Sequence, residues 1–153
     1  MTRKSATLLL TLASAAMILS AWGFQYIGGY PPCKMCYWQR YPHFAAIAIG
    51  GLALAMKARL LAWLGAAAML TTGGIGIFHS GVERGLWEGP SSCTSTSIGG
   101  LNTDELFDQI MNAPLVRCDE IPWEMFGVTM ANLNALGSFA FAVGWLWVAI
   151  KSD

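Results

Sequence analysis

Four stretches of this chain carry no Asp, Glu, Lys or Arg, and no other feature narrows its possible folds as far. They run from Ser5 to Cys33, Tyr41 to Met56, Leu60 to Val82 and Met125 to Ile150. A helix crossing the roughly 30 Å hydrocarbon core of a bilayer needs about 20 apolar residues. The first, third and fourth stretches meet that length. The second has 16 uncharged residues and spans only if its helix starts near Tyr37, with Arg40 reaching back to the interface. Pro42 then sits in a first turn, where proline is tolerated. A soluble helix needs a polar face, and Leu8 to Leu19 and Leu136 to Ile150 show almost none.

The expectation is therefore an all-α integral membrane protein, a four-helix bundle in a single domain over 1–153. Its helices are expected at about 6–27, 38–56, 60–80 and 127–150, with outer connections at about 28–37 and 81–126. Arg3-Lys4 before an apolar run is also how a secretory signal begins. Here the run continues uncharged past Trp22, Phe24, Tyr26 and Ile27, so it is read as a retained first helix.

Nine basic residues balance nine acidic ones, which gives no basic surface for nucleic acid. Their placement is informative. With four spans, Arg3, Lys4, Lys57, Arg59 and Lys151 fall on one side, opposed there by Asp153 alone. The other eight acids, with Lys34, Arg40, Arg84 and Arg117, fall on the other. Basic residues concentrate on cytoplasmic flanks, so both termini are expected in the cytoplasm and both long connections outside. All four cysteines lie in those outer connections.

Gly28-Gly29 and Pro31-Pro32 end the first helix. Lys57-Ala58-Arg59 is short enough to force an antiparallel hairpin of the second and third helices. Gly73, Gly74 and Gly76 read as close-packing positions. In the long outer connection, Asn102-Thr103-Asp104-Glu105 has the spacing of a capping box. Leu106, Phe107, Ile110 and Met111 follow at helical spacing until Pro114. That pattern suits a short amphipathic helix lying in the interface, tethering the connection while Cys93 and Cys118 keep some mobility.

Cys33 and Cys36 form a C-x-x-C, and Cys93 and Cys118 share the second connection. Structural disulfides are usual for outward-facing cysteines and suit Cys93 and Cys118. A two-residue spacer closes little chain entropy, so Cys33–Cys36 reads as a redox pair. A zinc site would need a second closely spaced ligand pair, and none follows; no metal is expected. Two pairs in one chain can exchange a disulfide through a mixed disulfide. Arg40 lies four residues after Cys36 and shares its face if the helix has begun; it favours a thiolate there. Tyr37 stands where a haem-attachment motif needs histidine, and no flavin or iron–sulfur spacing is present. A lipid-soluble quinone is the acceptor left within a bilayer, with Arg40 placed to hydrogen-bond its oxygen.

PPCKMCYWQRYPH at 31–43, a cysteine pair in the long outer connection, and CDEIPWEMFGVTM at 118–130 resemble the DsbB family of disulfide bond formation proteins. The likeness covers nearly the whole chain. It implies a bacterial inner-membrane oxidoreductase that reoxidises a soluble periplasmic DsbA-like thiol oxidase and passes the electrons to ubiquinone or menaquinone. By that resemblance Cys93 is the sulfur attacked by the partner and Cys118 its loop partner. Cys33 exchanges with the loop pair, Cys36 lies against the quinone in a charge-transfer or covalent adduct, and Arg40 is the quinone-proximal arginine. The resemblance allows His79 and Glu83, where the third helix meets the outer surface, a place near the same pocket; a capping or interfacial role is the favoured expectation, and they are not counted among the site residues. The competing class is a non-enzymatic four-helix membrane protein, a small transporter or assembly subunit with structural disulfides. Only His43 and His79 offer it an ionisable group near a span.

Overall fold

The computed structural model describes residues 1–56, 58–94, 102–111 and 116–151. Expectations resting on Lys57, Pro114, Asp153, or the Glu105 and Leu106 side chains lie outside the described residues. The described chain forms α1 (Arg3–Trp22), α2 (Lys34–Met56), α3 (Arg59–Glu83), a short α4 (Thr103–Met111), the strands β1 (Glu124–Met125) and β2 (Val128–Thr129), and α5 (Met130–Ile150). With two residues per strand, the β-ladder leaves the class helical.

Helix α3 packs between α2 and α5, and α1 packs against α2 and α5. Small polar side chains lie inside this bundle beside apolar ones, and large apolar side chains cover its outside. Ser14, Thr72 and Ser138 are 0% exposed, whereas Leu9, Leu12, Leu136, Val143 and Ile150 are between 59% and 68% exposed. In water such a surface would be an aggregation hazard; against lipid it is the surface required. The buried hydroxyls are partnered. Thr7 and Thr11 donate to the carbonyls of Arg3 and Thr7 at 2.9 and 2.8 Å, which satisfies a hydroxyl within an apolar helix.

Three helical segments are long and apolar enough to cross a membrane: Arg3–Ile27, Arg59–Glu83 and Met130–Ile150. The first includes a π-helical turn, Gly23–Ile27, after α1. Helix α2 has 23 residues, about 34 Å of length, but carries Lys34, Gln39, Arg40 and His43 in its outer half. It begins at Lys34 rather than near Tyr37. Pro42 therefore lies in the helix interior and not in a first turn, where it has no N–H for the Trp38 carbonyl.

The glycines of α3 divide by face. A Cβ on Gly65 would come within 2.6 Å of the Trp145 indole, and one on Gly73 within 3.1 Å of Phe139, whereas Gly74 faces open space. Gly65 and Gly73 thus let α5 lay large rings across α3, while Gly74 takes no part in close packing.

At the outer end, β1 and β2 pair antiparallel with Glu124 opposite Thr129. The turn between them holds Phe126 and Gly127 at φ 51° and 77°. Thr129 then caps α5: its side chain accepts the Asn132 N–H at 3.3 Å, and Asn132 Oδ1 accepts the Thr129 N–H at 3.1 Å. The bundle has two buried clusters. One surrounds Met69, Ala142 and Trp145. The other, at the opposite end of the bundle from the termini, is built from Cys33, Met35, Val82, Cys93 and Cys118.

Candidate functional site

The first cysteine pair is arranged by the start of α2. Cys33 stands just before the helix, and its Sγ accepts the Cys36 N–H at 3.2 Å, the bond a capping oxygen makes at a helix N-terminus. The C-x-x-C spacing thereby brings both sulfurs to the positive end of the helix dipole. They are free thiols with Sγ atoms 2.8 Å apart. Cys33 is buried and Cys36 half-buried. Hydrogen bonding from the Cys33 S–H holds the Cys36 thiol below the usual range, helped by the Arg40 charge. The same bond, with burial, pushes Cys33 up. The proton shared by the pair is therefore held more tightly by Cys33 than by Cys36.

Cys93 and Cys118 form a disulfide with Cα atoms 5.3 Å apart. The Cys118 N–H donates to the Cys93 carbonyl at 2.6 Å. They are 1% and 0% exposed, so the expected mobility is replaced here by packing. Both cysteine pairs share this buried cluster, together with Met35 and Val82. The Ser92 hydroxyl accepts from Lys34 Nζ at 3.0 Å, a second link from this connection to the start of α2.

Arg40 lies one turn below Cys36. Its Nη1 donates to Gln25 Oε1 at 2.7 Å and its Nη2 to the Ala21 carbonyl at 3.4 Å. Its guanidinium carbon sits 5.3 Å from the centre of the Tyr37 ring. These contacts tie α2 to the π-helical turn and hold the charge at a cavity of about 400 Å³. Met17, Ile18, Phe24 and Leu133 supply apolar lining, and Cys36 and Arg40 supply reactive and charged groups. A largely apolar cavity with a few convergent polar groups suits a flat, lipid-soluble ring with polar oxygens. His43, also on the wall, has a buried Nδ1 without a protein partner. The residues present therefore fit a quinone headgroup: Arg40 and Cys36 would face it, and the apolar side chains would enclose it.

Two residues left outside the expected site lie within it. His79 and Glu83 line the same cavity. His79 Nε2 is 3.5 Å from Cys33 Sγ and 3.8 Å from Glu83 Oε1. Glu83 accepts a hydrogen bond from the Thr129 hydroxyl at 2.7 Å, so it joins the α5 cap as well. Glu83 thus touches the α5 cap, whereas His79 faces Cys33 and Gln39. The i,i+4 spacing of His79 and Glu83 puts both on one face of α3, but nothing local points that face toward Cys33, 46 residues earlier. Gln39 carries no sequence signal of its own; it is drawn in because α2 turns its side chain to His79 Nδ1 at 2.8 Å. The sulfurs of Cys33 and Cys36 and a ring nitrogen of His79 lie within 4.8 Å of one another, so the thiol pair and the imidazole form one cluster.

A family model, "Disulfide bond formation protein DsbB", matches residues 3–148. The chain is 29% identical over 151 residues to a Disulfide bond formation protein B of Shewanella sp. (strain MR-4), covering 94% of this chain and 85% of that protein. It is 30% identical over 162 residues to the Disulfide bond formation protein B of Actinobacillus pleuropneumoniae serotype 5b (strain L20), covering 97% and 86%. It is 27% identical over 138 residues to Uncharacterized protein RP370 of Rickettsia prowazekii (strain Madrid E), covering 87% and 80%. No solved structure matches the chain.

Proposed function

The chain belongs to the DsbB family of membrane disulfide bond formation proteins, and on that premise we propose that it reoxidises a periplasmic DsbA-like thiol oxidase and passes the electrons to a membrane quinone, ubiquinone or menaquinone. The observation that carries this reading is the shared buried cluster of both cysteine pairs at the edge of an apolar cavity bearing Cys36 and Arg40.

The exchange is written with this chain's own sulfurs. A thiolate of the partner attacks Cys93 Sγ of the Cys93–Cys118 disulfide, forming a mixed disulfide and leaving Cys118 as thiolate. Cys118 attacks Cys33 in an oxidised Cys33–Cys36 pair; the electron pair of the broken bond stays on Cys36. A second thiolate of the partner releases Cys93, which then attacks Cys118 and restores the loop disulfide. Cys33 and Cys36 are left as the reduced pair. Cys36 is the suitable terminus because the Arg40 charge favours its thiolate, and the Cys33 hydrogen bond adds to this once Cys33 is released and protonated. When bound, the quinone accepts two electrons and two protons. Arg40 orients its oxygen and stabilises charge there, and the apolar wall keeps out water.

A quinone sink is also what the energetics require. A DsbA-type oxidant stands at about −120 mV, and each 30 mV costs about 1.4 kcal/mol for two electrons, so an ordinary stable disulfide cannot recharge it. In this reading the protein is a multi-pass inner-membrane protein with α2 as a fourth span, termini in the cytoplasm and cysteines in the periplasm. Helix α4 lies in the outer interface, its exposed Phe107, Ile110 and Met111 turned to lipid.

The test is anaerobic mixing of the purified protein with a reduced dithiol partner and quinone, followed by quinone absorbance. Cys33→Ala and Cys36→Ala should each abolish quinone reduction, and Cys93→Ser should fail to trap the partner. Quinone reduction that persists without Cys36 would end the proposal.

A further inference from the structure

We propose that His79 is the hydrogen-bond donor that stabilises Cys33 as a thiolate, and that Gln39 fixes its ring in the tautomer this requires. The inference rests on the exchange role given to Cys33 above. It assigns a positioning pair within that exchange.

Three buried side chains make the arrangement: Gln39 at 6%, His79 at 3% and Cys33 at 5% exposure. Gln39 Nε2 faces two acceptors, His79 Nδ1 at 2.8 Å and the Met35 carbonyl at 3.3 Å. Reversing the amide would set its oxygen against that carbonyl. The amide therefore donates to Nδ1, and the proton of a neutral imidazole sits on Nε2. Nε2 in turn faces Cys33 Sγ at 3.5 Å and Glu83 Oε1 at 3.8 Å, both acceptors. Glu83 is drawn away by Thr129, whose hydroxyl donates to its other oxygen at 2.7 Å.

The donor is needed at one point in the exchange. With Cys36 reduced, Cys33 keeps its proton and donates to the Cys36 sulfur, 2.8 Å away. When Cys93 attacks Cys118 in the Cys33–Cys118 mixed disulfide, the Cys93–Cys118 bond forms and the Cys118–Cys33 bond breaks. The electron pair goes to Cys33 Sγ. Disulfides break faster when the leaving sulfur is the better-stabilised thiolate. In the state with both thiols free, buried Cys33 Sγ has the Cys36 N–H at 3.2 Å and His79 Nε2 at 3.5 Å, the two groups placed to receive that charge. Among the described residues, the titratable and charged groups near Cys33 are Lys34, Cys36 and, a turn on, Arg40 of α2, and His79 and Glu83 of α3. Cys93 and Cys118 of the connection do not titrate while joined.

The experiment uses full-length protein in detergent carrying Cys36→Ser, with the Cys93–Cys118 disulfide intact, so that Cys33 is the one titrating thiol. Thiolate ultraviolet absorbance is followed against pH. His79→Phe should move the midpoint up by about one pH unit, a tenfold loss of thiolate; His79→Gln, which keeps an N–H donor, should recover part of it. An unchanged midpoint in His79→Phe overturns the proposal. The ring tautomer is read independently from ¹⁵N-histidine spectra of the parent protein, with His43→Gln to assign the signals. A proton on Nε2 is expected, and a proton on Nδ1 overturns the proposal even if His79→Phe fails to fold. Neither readout involves quinone or partner, so the proposed electron acceptor can fail while this result stands.

Discussion

Arg40 shows how one side chain serves two neighbours at once. Its guanidinium is anchored by Gln25 and the Ala21 carbonyl, and its charge lowers the Cys36 thiol, after the larger effect of the Cys33 hydrogen bond. A thiol with a depressed midpoint is a thiolate above that midpoint and is protonated as pH falls through it. Removing the charge moves the midpoint up, so the Arg40→Ala variant should need more alkaline solution for the same rate of Cys36 alkylation. A charge-assisted hydrogen bond contributes about 1.5–3 kcal/mol, and quinone affinity should fall roughly 10- to 100-fold. Partner trapping at Cys93 should be unaffected. Unchanged quinone titrations in Arg40→Ala would remove Arg40 from the site.

The helices α3 and α5 are joined by small residues facing large rings, and this joint sets how firmly α3 presents His79 and Glu83. Gly65→Ala would drive a methyl into the Trp145 indole, and overpacking of that kind costs about 1–3 kcal/mol. Gly74→Ala meets open space and should be neutral or stabilising, since alanine is the better helix former. Thermal unfolding in detergent distinguishes the two: a lower Tm for Gly65→Ala alone is expected. At the other end of the joint, Thr129→Ala removes the α5 cap and the partner of the Glu83 carboxylate. A lost cap costs about 1 kcal/mol and an unpaired buried acceptor about 1–3 kcal/mol. The same assay should place Thr129→Ala among the destabilised variants.

Across the whole molecule, the polarity of the bundle is inverted relative to a soluble protein, and the site lies at one end of it. In a background without native cysteines, a single cysteine at Gly85 should react in intact cells with a thiol reagent that does not cross the inner membrane. One at Ala58, in the turn between α2 and α3, should be protected until the cells are opened. Labelling of Ala58→Cys in intact cells would reverse the orientation and with it the periplasmic role of the cysteines.

Helical class, the membrane environment and the reactive pair were legible along the chain because each rests on local chemistry. Charge-free length, basic residues at span ends, and two sulfurs spaced by one helical turn need no knowledge of what folds against them. Arg40 could be joined to Cys36 for the same reason, by four residues of one helix. Where α2 starts could not be read, because Cys33 begins the helix with its own sulfur and carries Pro42 inside. His79, Glu83 and Gln39 were beyond reach for a different reason: their meeting with Cys33 depends on how α2 rotates against α3. That rotation is set by buried hydrogen bonds between distant segments, from the Thr72 hydroxyl to the Gln39 carbonyl and from Gln39 to His79. The packing of the two cysteine pairs into one cluster arises the same way, from three chain segments converging at the outer end of the bundle.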